Sequence, residues 1–598
     1  MTRIPLRPLA RILRARDRGE NPDAIERENI RQRHEVLRDR ARIRAESRLI
    51  TLAAFFACAF LAVSLRMGAI AATEPDEPGT SAPGAAILAQ RADIVDREGR
   101  ILATNLLTHA LYAQPPQMVD PVRSARELAR IFPDMDADRL VKDFTGGRKF
   151  LWLRKRLSPE QMQQVHEIGD PGLMFGPREM RLYPNGKLAA HVLGGAGFGR
   201  EGVDSAEVVG TAGVEKMFDA WLRDPAHGGA PLQLSLDLTV QTTLEDVLAG
   251  GMKLMNAKGA SGVLMDVRTG EVVAMASLPT FDPNSRPAPL TGGDPSDSPL
   301  FNRSVQGVYE LGSTFKIFAV AQALDLGLVN PGTVIDTKGP LVWGKFRIRD
   351  FHNYGPQLTV EDIIVKSSNI GTARIALMLG AERQQAFLRA LGLMEPTAIE
   401  MVEAPTGRPI VPKKWPDITA MTVSYGHGLS ASPLHLAAAY AAMVNGGTLV
   451  RPTLMHTGRI QQGPRVISER TSAIVRGLLR DVVTRGTATF GDVPGYEVGG
   501  KTGTADKPKP NGGYYKDKVV ATFAAAFPMS DPKYVLVVSL DEPVETSGTE
   551  PRRTAGWTAV PVGAEVIRRA APLLGLRPQV EPSPDTGVSA AKVSLIRN

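Results

Sequence analysis

An uncharged apolar run near the N-terminus constrains the fold of this 598-residue chain more than any other feature. The run covers residues 49–65, with the sequence LITLAAFFACAFLAVSL. At about 1.5 Å per residue it spans roughly 25 Å as a helix. Residues 66–72 can extend it toward the hydrocarbon core of a membrane, which is about 30 Å thick. Residues 49–72 are therefore predicted to form one transmembrane helix, with separate structures on either side.

Charge placed before the helix predicts its orientation. Residues 1–48 hold 14 Arg, no Lys and 8 acidic residues, so they carry +6 of the net charge of +8. The positive-inside rule then places residues 1–48 in the cytoplasm and the bulk of the chain outside it. A cleaved signal peptide ending at "AIA" (69–71) is the alternative, but its charged region would be unusually long. The rest of the chain is close to neutral and has no basic stripe, so no nucleic-acid partner is expected.

The composition along the chain indicates two domains after the helix. Residues 73–86 are rich in Pro, Gly, Ser and acid, which is typical of a linker. A mixed α/β domain is predicted at 87–230, including an amphipathic helix at 213–224. A larger α+β domain is predicted at 231–573, and the Pro- and Ser-containing residues 574–598 are predicted to be a disordered tail.

The larger domain has strand patterns at both ends and helical patterns between them. Residues 260–277 read as a β-hairpin, and residues 533–543 are a second β-rich run. Residues 311–445 are mostly helical in pattern. The sequence therefore predicts an α+β domain whose sheet is completed by segments distant in sequence.

Cysteine and histidine placement gives no sign of a metal site. The single cysteine, Cys58, excludes a disulfide framework and a cysteine-rich metal site. His191 and His352 lack metal-ligand spacing to other His or Cys residues. No metal and no cofactor are expected.

Three short motifs carry the candidate chemistry. Ser313 and Lys316 form S-x-x-K, Ser367 and Asn369 form S-x-N, and residues 501–504 read K-T-G-T. Each is weak alone, and S-x-x-K occurs again at 589–592 in the tail. A lysine can take a proton from a serine only if burial or a second cation depresses its pKa. The three motifs together, in this order, are a much stronger signal than any one of them.

This motif set resembles that of penicillin-binding proteins and serine β-lactamases. Across 87–573 the chain is similar to a class B penicillin-binding protein, a peptidoglycan D,D-transpeptidase. Residues 91–105 resemble the family's first conserved segment, and residues 210–222 and 424–447 resemble segments of the cell-division (FtsI) branch. Elongation-specific relatives more often carry K-S-G where this chain has K-T-G at 501–503, so we prefer the septal type and keep the elongation type as the alternative.

The resemblance implies a fold and a first set of residue roles. The fold is a membrane helix, a pedestal domain and a transpeptidase domain of serine β-lactamase type, with an antiparallel sheet sandwiched by helices. Ser313 would attack the D-Ala-D-Ala peptide bond and form an acyl-enzyme, with Lys316 as general base. Ser367 would relay a proton to the leaving D-Ala, and Asn369 would orient the substrate amide and Lys316.

The K-T-G-T segment would bind the substrate's terminal carboxylate. Lys501 would attract that carboxylate and lower the pKa of Lys316. The hydroxyls of Thr502 and Thr504 would donate hydrogen bonds to it, and Gly503 would let the peptide lie against the strand edge. The resemblance places the oxyanion hole at the backbone N–H groups of Ser313 and Thr504.

Three functions remain open from the sequence. The first is a transpeptidase of septal wall synthesis that is inhibited by β-lactams. The second is a hydrolase with the same motifs, a D,D-carboxypeptidase or β-lactamase, for which no deacylating glutamate can be assigned. The third is a non-catalytic β-lactam sensor, which the intact lysine pair of Lys316 and Lys501 makes less favoured.

The resemblance also implies location and partners. The chain would be a single-pass protein of the bacterial inner membrane, with its bulk in the periplasm. Its substrates would be peptidoglycan stem peptides, and its inhibitors β-lactams. The pedestal and membrane helix would dock a polytopic septal glycosyltransferase and other divisome proteins.

Overall fold

The computed structural model describes residues 9–72, 91–201, 206–509 and 512–579. The chain divides into two units, residues 1–86 and 87–598. The predicted linker at 73–86 lies outside the described residues.

The first unit is helical. It contains α1 (Leu9–Asp17) and α2 (Pro22–Ala72). Asn21 caps α2 by accepting a hydrogen bond from the backbone N–H of Asp23 at 3.0 Å, and Pro22 takes the first helical position, where its missing N–H is harmless. Within α2, residues Ala45–Leu65 are long and apolar enough to cross a membrane. This span begins and ends earlier than the predicted 49–72.

The second unit begins with the mixed α/β domain predicted at 87–230. Its strands are β1 (Ile94–Val95), β2 (Ile101–Ala113), β3 (Leu151–Leu157), β4 (Leu173–Leu182), β5 (Gly195–Glu201) and β6 (Ala206–Ala212). Its helices are α3 (Pro121–Ile131), α4 (Ala137–Thr145), α5 (Pro159–Ile168), α6 (Ala190–Leu193), α7 (Gly213–Met217) and α8 (Asp219–Leu222). Strand β2 pairs antiparallel with β1, β3 and β4, and β5 pairs with β6.

The amphipathic helix predicted at 213–224 is broken into two pieces. Phe218 leaves helical geometry, with φ −102° and ψ 20°, and separates α7 from α8. Arg91 forms ion pairs with one acid on each piece, Glu215 at 2.6 Å and Asp219 at 2.7 Å. The prediction of one continuous helix was therefore wrong, and the acids of both pieces pair with the buried Arg91.

The α+β domain follows. Its strands are β7 (Leu232–Gln233), β8 (Gly259–Asp266), β9 (Val272–Leu278), β10 (Val334–Asp336), β11 (Leu341–Trp343), β12 (Phe346–Ile348), β13 (Gln357–Thr359), β14 (Gly499–Pro508), β15 (Tyr514–Phe527) and β16 (Tyr534–Asp541). Its helices are α9 (Leu238–Leu254), α10 (Lys316–Asp325), α11 (Val360–Lys366), α12 (Asn369–Leu379), α13 (Ala381–Ala390), α14 (Asp417–Ser424), α15 (Pro433–Val444), α16 (Glu469–Arg485) and α17 (Ala559–Leu573).

Short 3₁₀ segments complete the described structure. They are Pro115–Gln117, Pro225–His227, Pro283–Ser285, Pro295–Asp297, Gly312–Phe315, Ala404–Thr406 and Thr489–Gly491.

A five-stranded antiparallel sheet organises this domain, in the order β14-β15-β16-β8-β9. Every residue of β9, and nearly every residue of β8 and β16, is buried. Helices α9 and α17 pack on one face of the sheet, and α15 and α16 on the other. This confirms the predicted α+β domain with a sheet completed by distant segments. It also leaves β14 at the edge of the sheet.

Two local features differ from the sequence reading. The mostly helical segment 311–445 also contains the small β-sheets β10–β13 and β11–β12. At the C-terminus the ordered chain runs past the predicted boundary at 573, since Leu574 and Leu576 pack against the core and the N–H of Gln579 donates to the carbonyl of Gly495. Residues 580–598 of the predicted tail lie outside the described residues.

Candidate active site

The S-x-x-K motif lies where a 3₁₀ turn runs into α10. Ser313 belongs to the turn Gly312–Phe315 and is partly exposed. Lys316 begins α10 and is completely buried. The turn is fixed to the core because the hydroxyl of Tyr440, in α15, donates to the carbonyl of Thr314 at 2.8 Å.

The S-x-N motif lies between α11 and α12. Ser367 ends α11 in the left-handed conformation, with φ 63° and ψ 46°. This conformation is unfavourable for a residue with a side chain and is retained where the surrounding structure imposes it. The Nζ of Lys316 donates hydrogen bonds to two atoms of Ser367, its carbonyl oxygen at 2.5 Å and its Oγ at 3.0 Å.

The K-T-G motif reaches the same serine from β14. The Nζ of Lys501, which is also fully buried, donates to Ser367 Oγ at 2.9 Å and to the carbonyl of Thr502 at 3.2 Å. Three segments separated by 54 and 134 residues in sequence therefore meet at one oxygen atom, Ser367 Oγ.

Burial shifts the pKa values of both lysines downward. The pKa of Lys316 lies well below its usual 10.5, first because burial penalises the ammonium and then because Lys501 is also a cation; Asp350 opposes the shift. Burial also lowers the pKa of Lys501, to about 7. Two buried cations beside one hydroxyl favour loss of a proton from one of them. The site can therefore hold a neutral amine near neutral pH.

The hydrogen bonds around Ser367 direct its own proton. A hydroxyl oxygen can accept about two hydrogen bonds and donate one. When both lysines are charged, they occupy the two acceptor positions, and the Ser367 proton is left free to be donated to another acceptor. When one lysine is neutral, it can accept that proton instead. Ser367 can thus exchange a proton with either lysine.

The turn Gly312–Phe315 and β14 are in close backbone contact. A β-carbon on Gly312, which has φ 55°, would lie 2.7 Å from the carbonyl oxygen of Thr504. A β-carbon on Gly503 would lie 2.2 Å from the carbonyl oxygen of Leu311. The missing side chain of Gly503 therefore makes room for the chain directly before this turn. The expected role of Gly503, to let a substrate peptide lie against the strand edge, stays a prediction.

The remaining predicted residues lie at the site with partners of their own. The hydroxyl of Thr502 is hydrogen-bonded to that of Thr487 at 2.7 Å, and Thr504 Oγ1 accepts from the N–H of Ala555 at 3.0 Å. The amide of Asn369 donates to the carbonyl of Arg349 at 3.0 Å. In this structure the side-chain amide of Asn369 therefore contacts the backbone of Arg349, and the Nζ of Lys316 contacts Ser367.

Sequence reasoning missed Asp350. Its carboxylate accepts hydrogen bonds from Ser368 Oγ at 2.7 Å, from the N–H of Asn369 at 2.6 Å and from the N–H of Ile370 at 3.0 Å. It thereby fixes the start of α12 and the S-x-N segment. The only sequence signal was a lone acid in a basic stretch, RIRDF, 17 residues before Ser367.

Glu310 was also missed. Its Oε1 accepts from the N–H of Gly428 at 2.8 Å and from the hydroxyl of Tyr514 at 3.0 Å. Glu310 therefore ties the segment before Ser313 to the loop at 425–428 and to β15. Among the residues that the structure describes, no group of three or more His, Cys, Asp and Glu side chains could hold a metal ion.

Comparison with known proteins places this architecture in a family. Residues 260–558 match the penicillin binding protein transpeptidase domain, and residues 86–228 match the penicillin-binding protein dimerisation domain. A probable peptidoglycan D,D-transpeptidase FtsI of Caulobacter vibrioides is 36% identical, over 92% of this chain and 93% of the relative. The peptidoglycan D,D-transpeptidase FtsI of Escherichia coli is 29% identical, over 76% of this chain and 79% of the relative.

A solved structure shows the same fold. Penicillin binding protein 3 of Mycobacterium tuberculosis, complexed with aztreonam, superposes with a TM-score of 0.62 and 26% sequence identity, covering 83% of this chain and 98% of that chain. Together with the matched domains, this shows that the chain belongs to the class B penicillin-binding proteins. Within that class it is of the FtsI type, the peptidoglycan D,D-transpeptidases.

Proposed function

We propose that this chain cross-links peptidoglycan stem peptides in septal wall synthesis through an acyl-enzyme on Ser313. The observation that carries the residue assignment is the convergence of Lys316 and Lys501 on Ser367 Oγ, at 3.0 and 2.9 Å. Lys316 follows the partly exposed Ser313 by three residues. A buried amine of depressed pKa at this spacing from a serine is what activation of a serine nucleophile needs.

The acylation step follows from this arrangement. Ser313 Oγ attacks the carbonyl carbon of the D-Ala-D-Ala peptide bond while its proton passes to neutral Lys316. The backbone N–H groups of Ser313 and Thr504 stabilise the oxyanion. The C–N bond then breaks, and Ser367 hands its proton to the leaving D-Ala nitrogen while it receives one from Lys316. The products are an ester on Ser313 and free D-Ala.

Transfer to the acceptor reverses these proton movements. The amine of a second stem peptide attacks the ester carbon and loses a proton, a new amide bond forms, the C–O bond to Ser313 breaks, and Ser313 Oγ receives a proton by way of the lysines. Lys501, in its charged form, attracts the terminal carboxylate of the donor peptide. For the hydroxyls of Thr502 and Thr504 to bind that carboxylate, they must donate to it, which is compatible with Thr504 Oγ1 accepting from Ala555.

The hydrogen bonds of Asp350, whose charge acts on Lys316, favour transfer to an amine over hydrolysis. A hydrolase of this type needs a base that activates water at the ester. Both oxygens of Asp350 already accept hydrogen bonds from the start of α12. We therefore assign Asp350 to positioning of the S-x-N segment.

The test uses the full-length protein in detergent with pre-formed, uncross-linked peptidoglycan strands. We expect cross-linked dimers together with release of free D-Ala, and neither product with Ser313→Ala. Release of D-Ala without dimers would identify a carboxypeptidase. Dimers formed equally by Ser313→Ala would overturn the assignment of the nucleophile.

We also propose that residues 1–48 are cytoplasmic and that the chain crosses the inner membrane once, with residues 87–579 in the periplasm. The support is the arginine excess before the apolar span Ala45–Leu65. Reporter fusions after residue 40 and after residue 579 test this topology. A reporter active only outside the cytoplasm should be silent at the first position and active at the second; the reverse pattern would contradict it.

We propose a polytopic septal glycosyltransferase and other divisome proteins as partners of the membrane helix and of the domain at 87–230. The support is the family to which the chain belongs. Co-purification with such a glycosyltransferase, before and after replacement of residues 49–72 by an unrelated transmembrane helix, tests the contribution of the helix. Equal recovery with both helices would restrict the partner surface to the rest of the chain.

A further inference from the structure

An exposed β-hairpin beside the active site carries aromatic and basic side chains together. Strands β11 and β12 pair with Trp343 opposite Phe346 and Leu341 opposite Ile348. The tip between them is Gly344-Lys345. We call the following exposed residues the hairpin surface: Val342, Trp343, Lys345, Phe346, Arg347 and Phe351.

The hairpin is buried at one end and exposed at the other. Leu341 and Ile348 are buried against residues of α12 and α14. Side chains alternate along a strand, so the pair of Trp343 and Phe346 lies on the same face of the hairpin as Leu341 and Ile348, but nearer the tip. These two aromatics are 39% and 45% exposed, and Phe351 is 79% exposed. Large apolar side chains that are exposed together on one surface mark an interaction site.

The charge of the hairpin surface is positive. Residues 341–353 contain Lys345, Arg347 and Arg349 and a single acid, Asp350. The carboxylate of Asp350 faces inward, where it accepts hydrogen bonds from the start of α12. None of the three cations forms an ion pair with an acid in the part of the chain that the structure describes. A ligand with negative groups is therefore favoured.

The hairpin surface is continuous with one wall of the proposed catalytic cleft, the space beside Ser313, Ser367 and Lys501. Asn369 donates to the carbonyl of Arg349, the residue directly after β12. Three residues of strand, about 10 Å, separate Arg349 from the tip of the hairpin. A stem peptide of about five residues reaches at most ~17 Å. A glycan strand whose stem peptide enters the cleft must therefore pass within about that distance of Ser313.

We propose that the hairpin surface binds the glycan strand of peptidoglycan, while the cleft takes the stem peptide of that strand. This inference rests on the transpeptidase function proposed above. The flat faces of Trp343 and Phe346 would contact the C–H faces of sugar rings, and Lys345 and Arg347 would attract the carboxylates of neighbouring stem peptides. The surface would thereby hold the polymer rather than the reacting bond.

Binding is tested first, with full-length protein carrying Ser313→Ala so that no turnover occurs. The probes are purified uncross-linked glycan strands with stem peptides, and the same strands after amidase has removed the peptides. For Trp343→Ser/Phe346→Ser we expect about tenfold weaker binding to both probes, as for loss of aromatic contacts at an interface. For Lys345→Gln/Arg347→Gln we expect weaker binding mainly to strands that keep their peptides.

The matched control is Leu254→Ser. Leu254 is an exposed apolar residue, 71% accessible, at the end of α9 on the other side of the domain's sheet. The Leu254→Ser variant should bind both probes as tightly as the parent protein does. Equal binding by the aromatic variant and the parent would overturn the proposal, and so would a defect seen with anionic lipid vesicles but not with glycan strands.

Kinetics separate this proposal from the catalytic one. In the protein with Ser313 intact, the ratio of the cross-linking rate on glycan strands to the acylation rate by a fluorescent penicillin should fall about tenfold in Trp343→Ser/Phe346→Ser. An unchanged ratio would contradict binding of the strand by the hairpin. Absence of penicillin acylation in the parent would instead reject the catalytic assignment.

Discussion

At the scale of single residues, the chemistry depends on the charge state of two buried lysines. Lys316 and Lys501 both donate to Ser367 Oγ, and both have lowered pKa values because they are buried. In the proposed mechanism, the neutral form of Lys316 is the base and the charged form of Lys501 attracts the carboxylate. That mechanism therefore requires one lysine to lose its proton while the other keeps it.

This requirement predicts a bell-shaped pH profile for acylation by a fluorescent penicillin. The second-order rate constant should rise as pH passes the lowered pKa of Lys316, and fall above about 7, where Lys501 loses its charge. In Lys501→Arg the cation cannot deprotonate, so the falling side should disappear, at a lower overall rate. Persistence of the fall in the folded arginine variant would contradict the role given to Lys501.

Asp350 gives a second prediction. Its negative charge raises the pKa of Lys316, so Asp350→Asn should move the rising side of the acylation profile to lower pH. The same change removes a negative charge from the start of α12 and should destabilise the protein by about 1 kcal/mol.

Asp136→Asn is the control for this change. Asp136 caps α4, far from the site, by accepting from the N–H groups of Asp138 and Arg139. The Asp136→Asn change should lower the stability of the protein by a similar amount without moving the pH profile of acylation. A profile that is the same in Asp350→Asn and in the parent would show that Asp350 does not act on Lys316.

At the scale of elements, the position of Ser313 is set by packing of a turn against a strand. Gly312 and Gly503 bring the turn Gly312–Phe315 and β14 into contact, and the hydroxyl of Tyr440 donates to the carbonyl of Thr314 in the same turn. The turn is thus fixed between the sheet edge and α15.

Gly503→Ala should disturb this packing. Its β-carbon would lie 2.2 Å from the carbonyl oxygen of Leu311, so the turn must shift. Displacement of a reacting group by about 1 Å lowers rates by about 10²-fold, and we expect a loss of that order in penicillin acylation.

The matched control is Gly477→Ala, on α16, where an added β-carbon meets no atom within 4 Å. It should leave acylation unchanged and stabilise the helix by about 0.5–1 kcal/mol. An acylation rate in Gly503→Ala within twofold of the control would contradict the account of the turn.

The sequence indicated part of this candidate site and not the rest, for physical reasons. The motifs of Ser313, Ser367 and Lys501 mark residue types that the proposed chemistry requires, and they could be recognised without knowing how the chain folds. Asp350 and Glu310 act through contacts with backbone and side chains distant in sequence, so no local pattern marks them. The packing of Gly503 against Leu311 was inaccessible for the same reason.

The fold was predicted in a similar way. Periodicity and turn residues located β8, β9 and β16, because these depend on neighbours in sequence. The break at Phe218 was missed because it depends on the buried Arg91. The hairpin β11–β12 was missed because its exposed aromatics lack the alternation of a half-buried strand.

At the scale of the whole second unit, buried ion pairs connect segments far apart in the domain at 87–230. Glu215 is completely buried; it accepts from Arg91 Nε at 2.8 Å and from Arg181 Nε at 2.7 Å. Arg91 and Glu215 lie in two of the segments that carry the family resemblance. Their pairing gives those segments a structural role, because removal of the acid would take the carboxylate partner away from the buried Arg181 and leave Arg91 paired with Asp219.

Glu215→Gln should therefore destabilise the domain at 87–230 by about 3–5 kcal/mol. Thermal unfolding and limited proteolysis should show earlier loss of this domain. The control is Glu469→Gln, which removes an ion pair with Arg465 in which the acid is 78% exposed and should change stability by at most about 1 kcal/mol. Equal effects of the two changes would show that the buried cluster does not stabilise the domain.

The most direct test of the central claim is to map the covalent adduct of a β-lactam on the full-length protein by mass spectrometry of its peptides. The account predicts one modified peptide, carrying the added mass on Ser313. The adduct should be absent in Ser313→Ala and form far more slowly in Lys316→Ala, with both variants still folded. An adduct on another residue, or no adduct on folded protein, would contradict the claim that Lys316 activates Ser313.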